Sequence, residues 1–200
     1  MRRPLALTAL TALLAVAVAA AARAEDPRLL SARIAVNLFA KTCLAHLGEP
    51  AKAVHAAGED LAMGELPPDM ARPFLVGLPG RAFSAGMDAA GFVVAIPDGG
   101  LCMVYAQLAD PAEVGTRFTS VMEDFSGDAF EMRLTGQTET DGRISRAWDL
   151  APTAGQLKKL RARFGTRDFP ALFEVGLTTA PPGGLFEAVL STASKVVPKG

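Results

Sequence analysis

Two hundred residues are enough for one ordinary domain and too few for two comfortable ones. Half of them are hydrophobic and a fifth are charged, which is a globular composition and not a disordered one. The 20 basic residues meet 21 acidic ones, which argues against a general nucleic-acid binder, and two cysteines are too few for a disulfide-dense mini-protein or a four-cysteine zinc site.

The chain opens as an address. Met1-Arg2-Arg3 is a short basic segment, Leu5 to Ala22 is an uncharged run of 18 residues, and Ala22-Arg23-Ala24 puts small residues where a signal peptidase reads. Residues 1–24 are therefore expected to be a signal peptide, with residues 25–200 as a single α+β domain. The rival reading is a retained anchor, since 18 apolar residues nearly span a bilayer, although half of this run is alanine. Pro4-Leu5 does not support a twin-arginine signal, and no cysteine at the cleavage point supports a lipoprotein. Cleavage removes three arginines and no acid, leaving 176 residues with 17 basic and 21 acidic side chains. No later segment has 18 uncharged apolar residues, so no membrane span is expected after cleavage.

Asp26 is placed to cap a helix with Pro27 at its first position. Leu29, Ala32, Val36, Phe39, Cys43 and Leu47 form one face of it, with Leu30, Ile34 and Leu38 as a second stripe. Gly48 and Pro50 end this helix. A short helix around Val54 and Leu61 is weakened by Gly58. Residues 65–90, rich in proline and glycine, read as a loop-rich connector with a short strand at Ala82-Phe83-Ser84.

Gly91 to Gln107 reads as a hairpin turned by Pro97-Asp98-Gly99-Gly100. Cys102, Val104 and Ala106 share one face of its return strand, and Leu101, Met103 and Tyr105 the other. Asp110-Pro111 and Glu113 open a second helix whose inward face is Val114, Phe118, Val121, Met122 and Phe125. Phe130, Met132 and Leu134 alternate with polar residues, Asp141-Gly142 turns, and Ile144 to Leu150 returns. Thr153 and Gln156 form a capping-box pair before Leu157 and Leu160. Phe173 to Leu177, the turn at Ala180 to Gly184, and Leu185 to Ala193 make the last hairpin. The expected fold is α+β: a single antiparallel sheet built from three β-hairpins, with helices packed on a face.

Export makes a Cys43–Cys102 disulfide the preferred reading of the two cysteines, against two buried thiols. If they are bonded, the Cys102 face must look at the first helix. The exported start, the helix cysteine, the hairpin cysteine after a glycine turn and the closing strand pair together resemble uncharacterised small periplasmic proteins of Gram-negative bacteria. The likeness covers most of the mature chain and implies no activity, so it carries over no functional residue.

Candidate chemistry is sparse. His46 with Glu49 and His55 with Glu59 lack a convergent third ligand, so no metal site is assigned. Ala82-Phe83-Ser84-Ala85-Gly86 lacks the first glycine of a nucleophile elbow, and both histidines precede Ser84, against the usual serine-acid-histidine order. Thr192-Ala193-Ser194-Lys195 has threonine where a Ser-x-x-Lys site needs serine. No Gly-x-Gly-x-x-Gly or P-loop supports a nucleotide cofactor. No catalytic, cofactor-binding or metal residue is assigned, and no cofactor is expected. Lys158, Lys159, Arg161, Arg163 and Arg167 form one dense basic run. It reads as a docking patch for an anionic partner or as the solvated face of an amphipathic helix. Trp148 and Tyr105 read as core aromatics.

The resulting expectation is a periplasmic or secreted, soluble, non-catalytic binding or interaction domain of unknown specificity. Its partner would be a protein or small ligand of the envelope, not a nucleic acid. The alternatives are an envelope hydrolase with a dispersed site, and an assembly accessory protein acting through the basic run.

Overall fold

The computed structural model describes residues 26–87, 90–164 and 172–195. The expected signal peptide lies outside these residues. Helix α1 runs Pro27–Phe39, with the Asp26 carboxylate accepting the Arg28 N–H at 2.9 Å. One wide π turn, Ala40–Leu44, continues it. Gly48, at φ +78°, closes the segment in a conformation that side chains resist. Ala32, Val36, Phe39 and Cys43 of the expected stripe are buried, with Ala35 beside them, while Leu29 stays exposed. Helix α2, Pro50–His55, is likewise continued by a π turn, Ala56–Asp60. Gly58 belongs there for closeness: a Cβ would sit 3.2 Å from the Phe83 ring.

The stretch expected to be a loop-rich connector is more ordered than its composition suggests. It holds strand β1 (Gly64–Glu65), helix α3 (Pro68–Ala71), a 3-10 turn (Arg72–Phe74) and the eight-residue strand β2 (Gly80–Met87). Strand β2 pairs with β3 (Ala90–Pro97) over its whole length, from Gly80↔Pro97 to Met87↔Ala90. Its small residues carry little strand propensity, so the partner strand and not the local sequence makes it a strand.

The remaining elements are β4 (Leu101–Ala106), α4 (Pro111–Ser126), β5 (Phe130–Thr140), β6 (Arg143–Pro152), α5 (Ala154–Phe164), β7 (Leu172–Thr179) and β8 (Ala188–Lys195). Asp110 caps α4 by accepting the Glu113 N–H at 2.8 Å. Thr153 does not act as the expected capping-box hydroxyl. It reaches the carbonyls of Asp128 and Ala129 and ties the start of α5 to the turn before β5.

All eight strands form one open antiparallel sheet in the order β1-β2-β3-β4-β8-β7-β6-β5. The segments expected to be hairpins place β3 beside β4, β5 beside β6 and β7 beside β8. The sheet is better described as two four-stranded meanders joined at β4 and β8, because β1 and β2 extend the first and β6 pairs with β7. Each meander follows an Asp-Pro-capped helix, α1 or α4, and the two helices pack together with the Phe39 and Phe118 rings 5.8 Å apart.

Alternation along the strands sorts side chains onto two faces. Phe92, Val94, Ile96, Cys102, Val104, Val175, Leu177 and Leu190 join the main core with α1 and α4. Ala82, Val93, Ala95 and Met103 point the other way and pack under Ala71 and Leu75 of the α3 segment. Helices therefore lie on both faces, not on one as expected, because the connector supplies a cover for the second.

Cys43 and Cys102 form a disulfide, with Cα atoms 5.4 Å apart and both residues buried. It joins the π turn after α1 to β4 and closes a span of 59 positions, worth roughly 4 kcal/mol at most in the chain-entropy picture. Cys43→Ser is expected to lower the melting temperature by on the order of 10 °C in oxidising buffer. It should change little in reductant, and thermal melts of both proteins in both buffers make the comparison.

Candidate functional site

The sequence candidates lie apart from one another. Lys158, Lys159 and Arg161 are exposed on α5, while Leu160 packs toward the core. Arg163 falls in α5 with its side chain outside the described residues, as is Arg167 altogether. Ser84 sits within β2, between Val93 and Gly64 of its neighbour strands, so it is not on a strand-to-helix elbow. His55 is exposed, and its Nε2 lies 3.8 Å from the Asp60 carboxylate. Among the described residues no three His, Cys, Asp or Glu side chains gather as metal ligands. Trp148 is half-buried against Phe118, with ring centres 5.2 Å apart, and Tyr105 packs with Phe74 and Phe186 on the opposite face of the sheet.

A groove of about 780 Å³ runs between α4 and the ends of β6 and β7. Its helical wall is the stripe Ala112, Gly115, Thr116, Thr119, Ser120 and Glu123, spaced three and four apart so that all share one side of α4. The opposite side of α4 is held in the core by Val114, Phe118 and Met122. Thr116 and Thr119 donate their hydroxyl protons to the carbonyls of Ala112 and Gly115, each at 3.0 Å. Their oxygen lone pairs and methyl groups are what remain for the groove. The sheet side is Ile144, Arg146, Leu177 and Thr179, with Arg146 directly opposite Leu177 in register. Arg146 Nε donates to Gln137 Oε1 at 3.2 Å, which holds the guanidinium on this face with its other donors unspent on that contact.

Apolar periodicity marks the core face of α4 but not its outer stripe. The small and hydroxyl residues at helical spacing were the available signal. Arg146 had none, because its place opposite Leu177 depends on the pairing of β6 with β7.

A second polar feature lies at the start of α1. Glu187, only 2% exposed, meets the Arg28 guanidinium through Oε1–Nη1 at 3.1 Å and Oε2–Nη2 at 2.7 Å. The Oε2 contact is ionic and not a well-aligned hydrogen bond. Oε1 also accepts the Gly183 N–H at 3.1 Å. Nearby, the Ser31 hydroxyl donates to the Gln107 carbonyl at 2.9 Å. The pair therefore fastens the β7–β8 turn to the first turn of α1. Its Oε1 takes both hydrogen bonds and its Oε2 faces the Arg28 charge, so Glu187 reads as a clasp between these two segments.

On the other face of the sheet, Asp149 contacts Lys195 at 2.8 Å and Arg133 at 3.6 Å, and Lys195 also reaches Glu174 at 2.7 Å. The hydrogen bond from Lys195, aided by Arg133, holds the Asp149 carboxyl below the usual carboxylate range. Lys195 is raised above the ordinary lysine value by its bonds to Asp149 and Glu174.

Removing Glu187 takes away the carboxylate partner of a part-buried guanidinium. Glu187→Ala is expected to cost about 2–4 kcal/mol in urea unfolding, and Arg28→Ala together with Glu187→Ala less than the sum of the single changes. The Asp149 network gives a pH signature. A depressed carboxyl stabilises the fold fully above its unfolded value, and that stabilisation is lost as pH falls through the folded value. Lys195→Gln should therefore be less stable than the parent near neutrality, and the gap should close in acid, as followed by unfolding at stepped pH.

Set against known protein families, curated proteins and solved structures, the chain matches none.

Proposed function

We propose that the chain is an exported, soluble, non-catalytic binding domain of the bacterial periplasm, with residues 1–24 as its signal peptide and 25–200 as one domain. Its ligand lies in the groove between α4 and β6–β7. The groove itself carries this reading: a wall of small and hydroxyl residues faces a floor of Ile144, Leu177 and Thr179 that holds one arginine, Arg146. The hydroxyl oxygens accept from N–H or O–H groups, and Arg146 donates to a carboxylate. An extended acidic peptide offers both. The titratable groups among the described lining residues are Glu123 and Arg146, so Ser120 has no histidine there to activate it, which favours binding over hydrolysis. The buried Cys43–Cys102 bond suits an oxidising compartment. The docking role for Lys158, Lys159 and Arg161 is the weaker interaction reading, since their exposure on α5 is also what an amphipathic helix requires.

The test uses isotope-labelled protein purified from a periplasm and titrated with the tripeptides Ala-Glu-Ala and Ala-Gln-Ala. The acidic peptide should shift amides in 115–123, 144–146 and 177–179. Arg146→Ala should weaken it about tenfold or more while leaving the neutral peptide unchanged. The intact mass of the same preparation should begin at Glu25. Cleaved peptide in the tube would favour the hydrolase, and shifts that ignore Arg146→Ala would remove the groove. A retained leader would overturn the export assignment.

A further inference from the structure

The two edges of the sheet are unlike. At one end β1 is two residues long, and Glu65 within it is tied to Arg81 of β2 by an ion pair. At the other end β5 runs eleven residues, and every residue from Glu131 to Thr140 is exposed. Among the described residues nothing pairs with the outer side of β5. Such an edge offers a row of unpaired backbone groups to another strand.

The first part of β5, Phe130 to Leu134, pairs regularly with β6, and a bulge between Leu134 and Gly136 ends that regular stretch. Within it, Met132 and Leu134 face the helix side, 36% and 52% exposed, in line with Phe130. Glu131 and Arg133 face the other side. Arg133 is 80% exposed at its side chain, with Asp149 as its neighbour at 3.6 Å.

We propose that this segment is a self-association edge, where a second copy of the chain adds its own β5 antiparallel about a twofold axis through Met132. The charges select the register. Paired residues must share a face, so the axis passes through a residue of the regular stretch. About Glu131, the glutamate opposes its own copy. About Arg133, the arginine does the same. About Met132, Glu131 of each copy opposes Arg133 of the other, twice, while Phe130 opposes Leu134 and Met132 opposes Met132. Only this last register joins unlike charges and keeps the exposed apolar row together on one side. The bulge after Leu134 bends each strand away from the pairing line and limits the contact to five residues per copy. So small an interface implies weak association, in roughly the micromolar-to-millimolar range. The twofold keeps the faces of the sheet aligned, so both grooves beside α4 open on the same side of a continuous sheet.

Sedimentation of the oxidised mature chain from about 10 μM to about 1 mM should show a reversible monomer–dimer equilibrium. Glu131→Arg alone, and Arg133→Glu alone, should each weaken it about tenfold or more by opposing like charges twice. An equimolar mixture of the two variants should recover the parental affinity, because each supplies the charge that the other needs. Met132→Cys should oxidise to a covalent dimer, and Leu134→Cys should not. Arg133→Glu also faces Asp149, so melting curves of each variant establish that it is folded. A chain that stays monomeric throughout overturns the proposal. So does a dimer indifferent to both charge reversals, or a mixture that fails to recover.

Discussion

The antiparallel seam between β4 and β8 is the constraint on which the rest of the molecule depends. Six residue pairs, from Leu101↔Ala193 to Ala106↔Ala188, join two meanders that would otherwise each expose a central edge. Helix α1 lies across this seam and is pinned to it covalently through Cys43 and Cys102. Ala32 and Ala35, both fully buried, let its backbone come close, and Phe39 carries the contact onward to Phe118 in α4. The first helix thus holds the seam, and through the seam it positions the second helix.

The groove follows from that placement. With Val114, Phe118 and Met122 turned into the core, α4 presents its small and hydroxyl stripe on the opposite side. The two longest strands, β5 and β6, run out to Asp141-Gly142. Their tip is braced: a Cβ on Gly142 would lie 2.8 Å from Pro181 Cγ, so the β5–β6 turn rests against the β7–β8 turn. That second turn is in turn clasped by Glu187 to Arg28 on α1. The floor of the groove is therefore tied to the first helix by a chain of contacts and does not hang free.

The two faces of the sheet are finished differently in its two halves. Over β2–β4 the α3 segment supplies a small second core, completed by Phe74, Tyr105 and Phe186. Burial there pushes the Tyr105 phenol above its ordinary pKa, and its hydroxyl donates to the Phe74 carbonyl at 3.1 Å. Over β5–β8 the same face carries instead the charges Arg133, Asp149, Glu174 and Lys195. An uncovered sheet face tolerates polar side chains well, and an edge strand that carries charge is protected from indiscriminate pairing.

Much of this was legible from local pattern. Asp-Pro starts and three-and-four spacing marked α1 and α4, because capping and amphipathic burial act within a few residues. Alternation marked β4, β5 and β7, strand-forming residues marked β3, and the turns marked β6 and β8, while the assignment of Cys102, Val104 and Ala106 to one face placed the disulfide against the first helix. The full length of β2 and the α3 cover were not legible: Ala82-Phe83-Ser84 read as a short strand, but Ala85 and Gly86 have weak preferences of their own and become strand only through β3. Nothing in the local sequence sets Glu187 or Arg146 apart from the other charged residues, because the partners of each are distant in the chain. The sequence by itself determined the helix faces, the turns and the alternation, since these depend on neighbours along the chain. Only the tertiary structure decided the strand order, the burial of the Arg28–Glu187 pair and the groove beside α4, since each joins residues that meet only after β4 and β8 have paired.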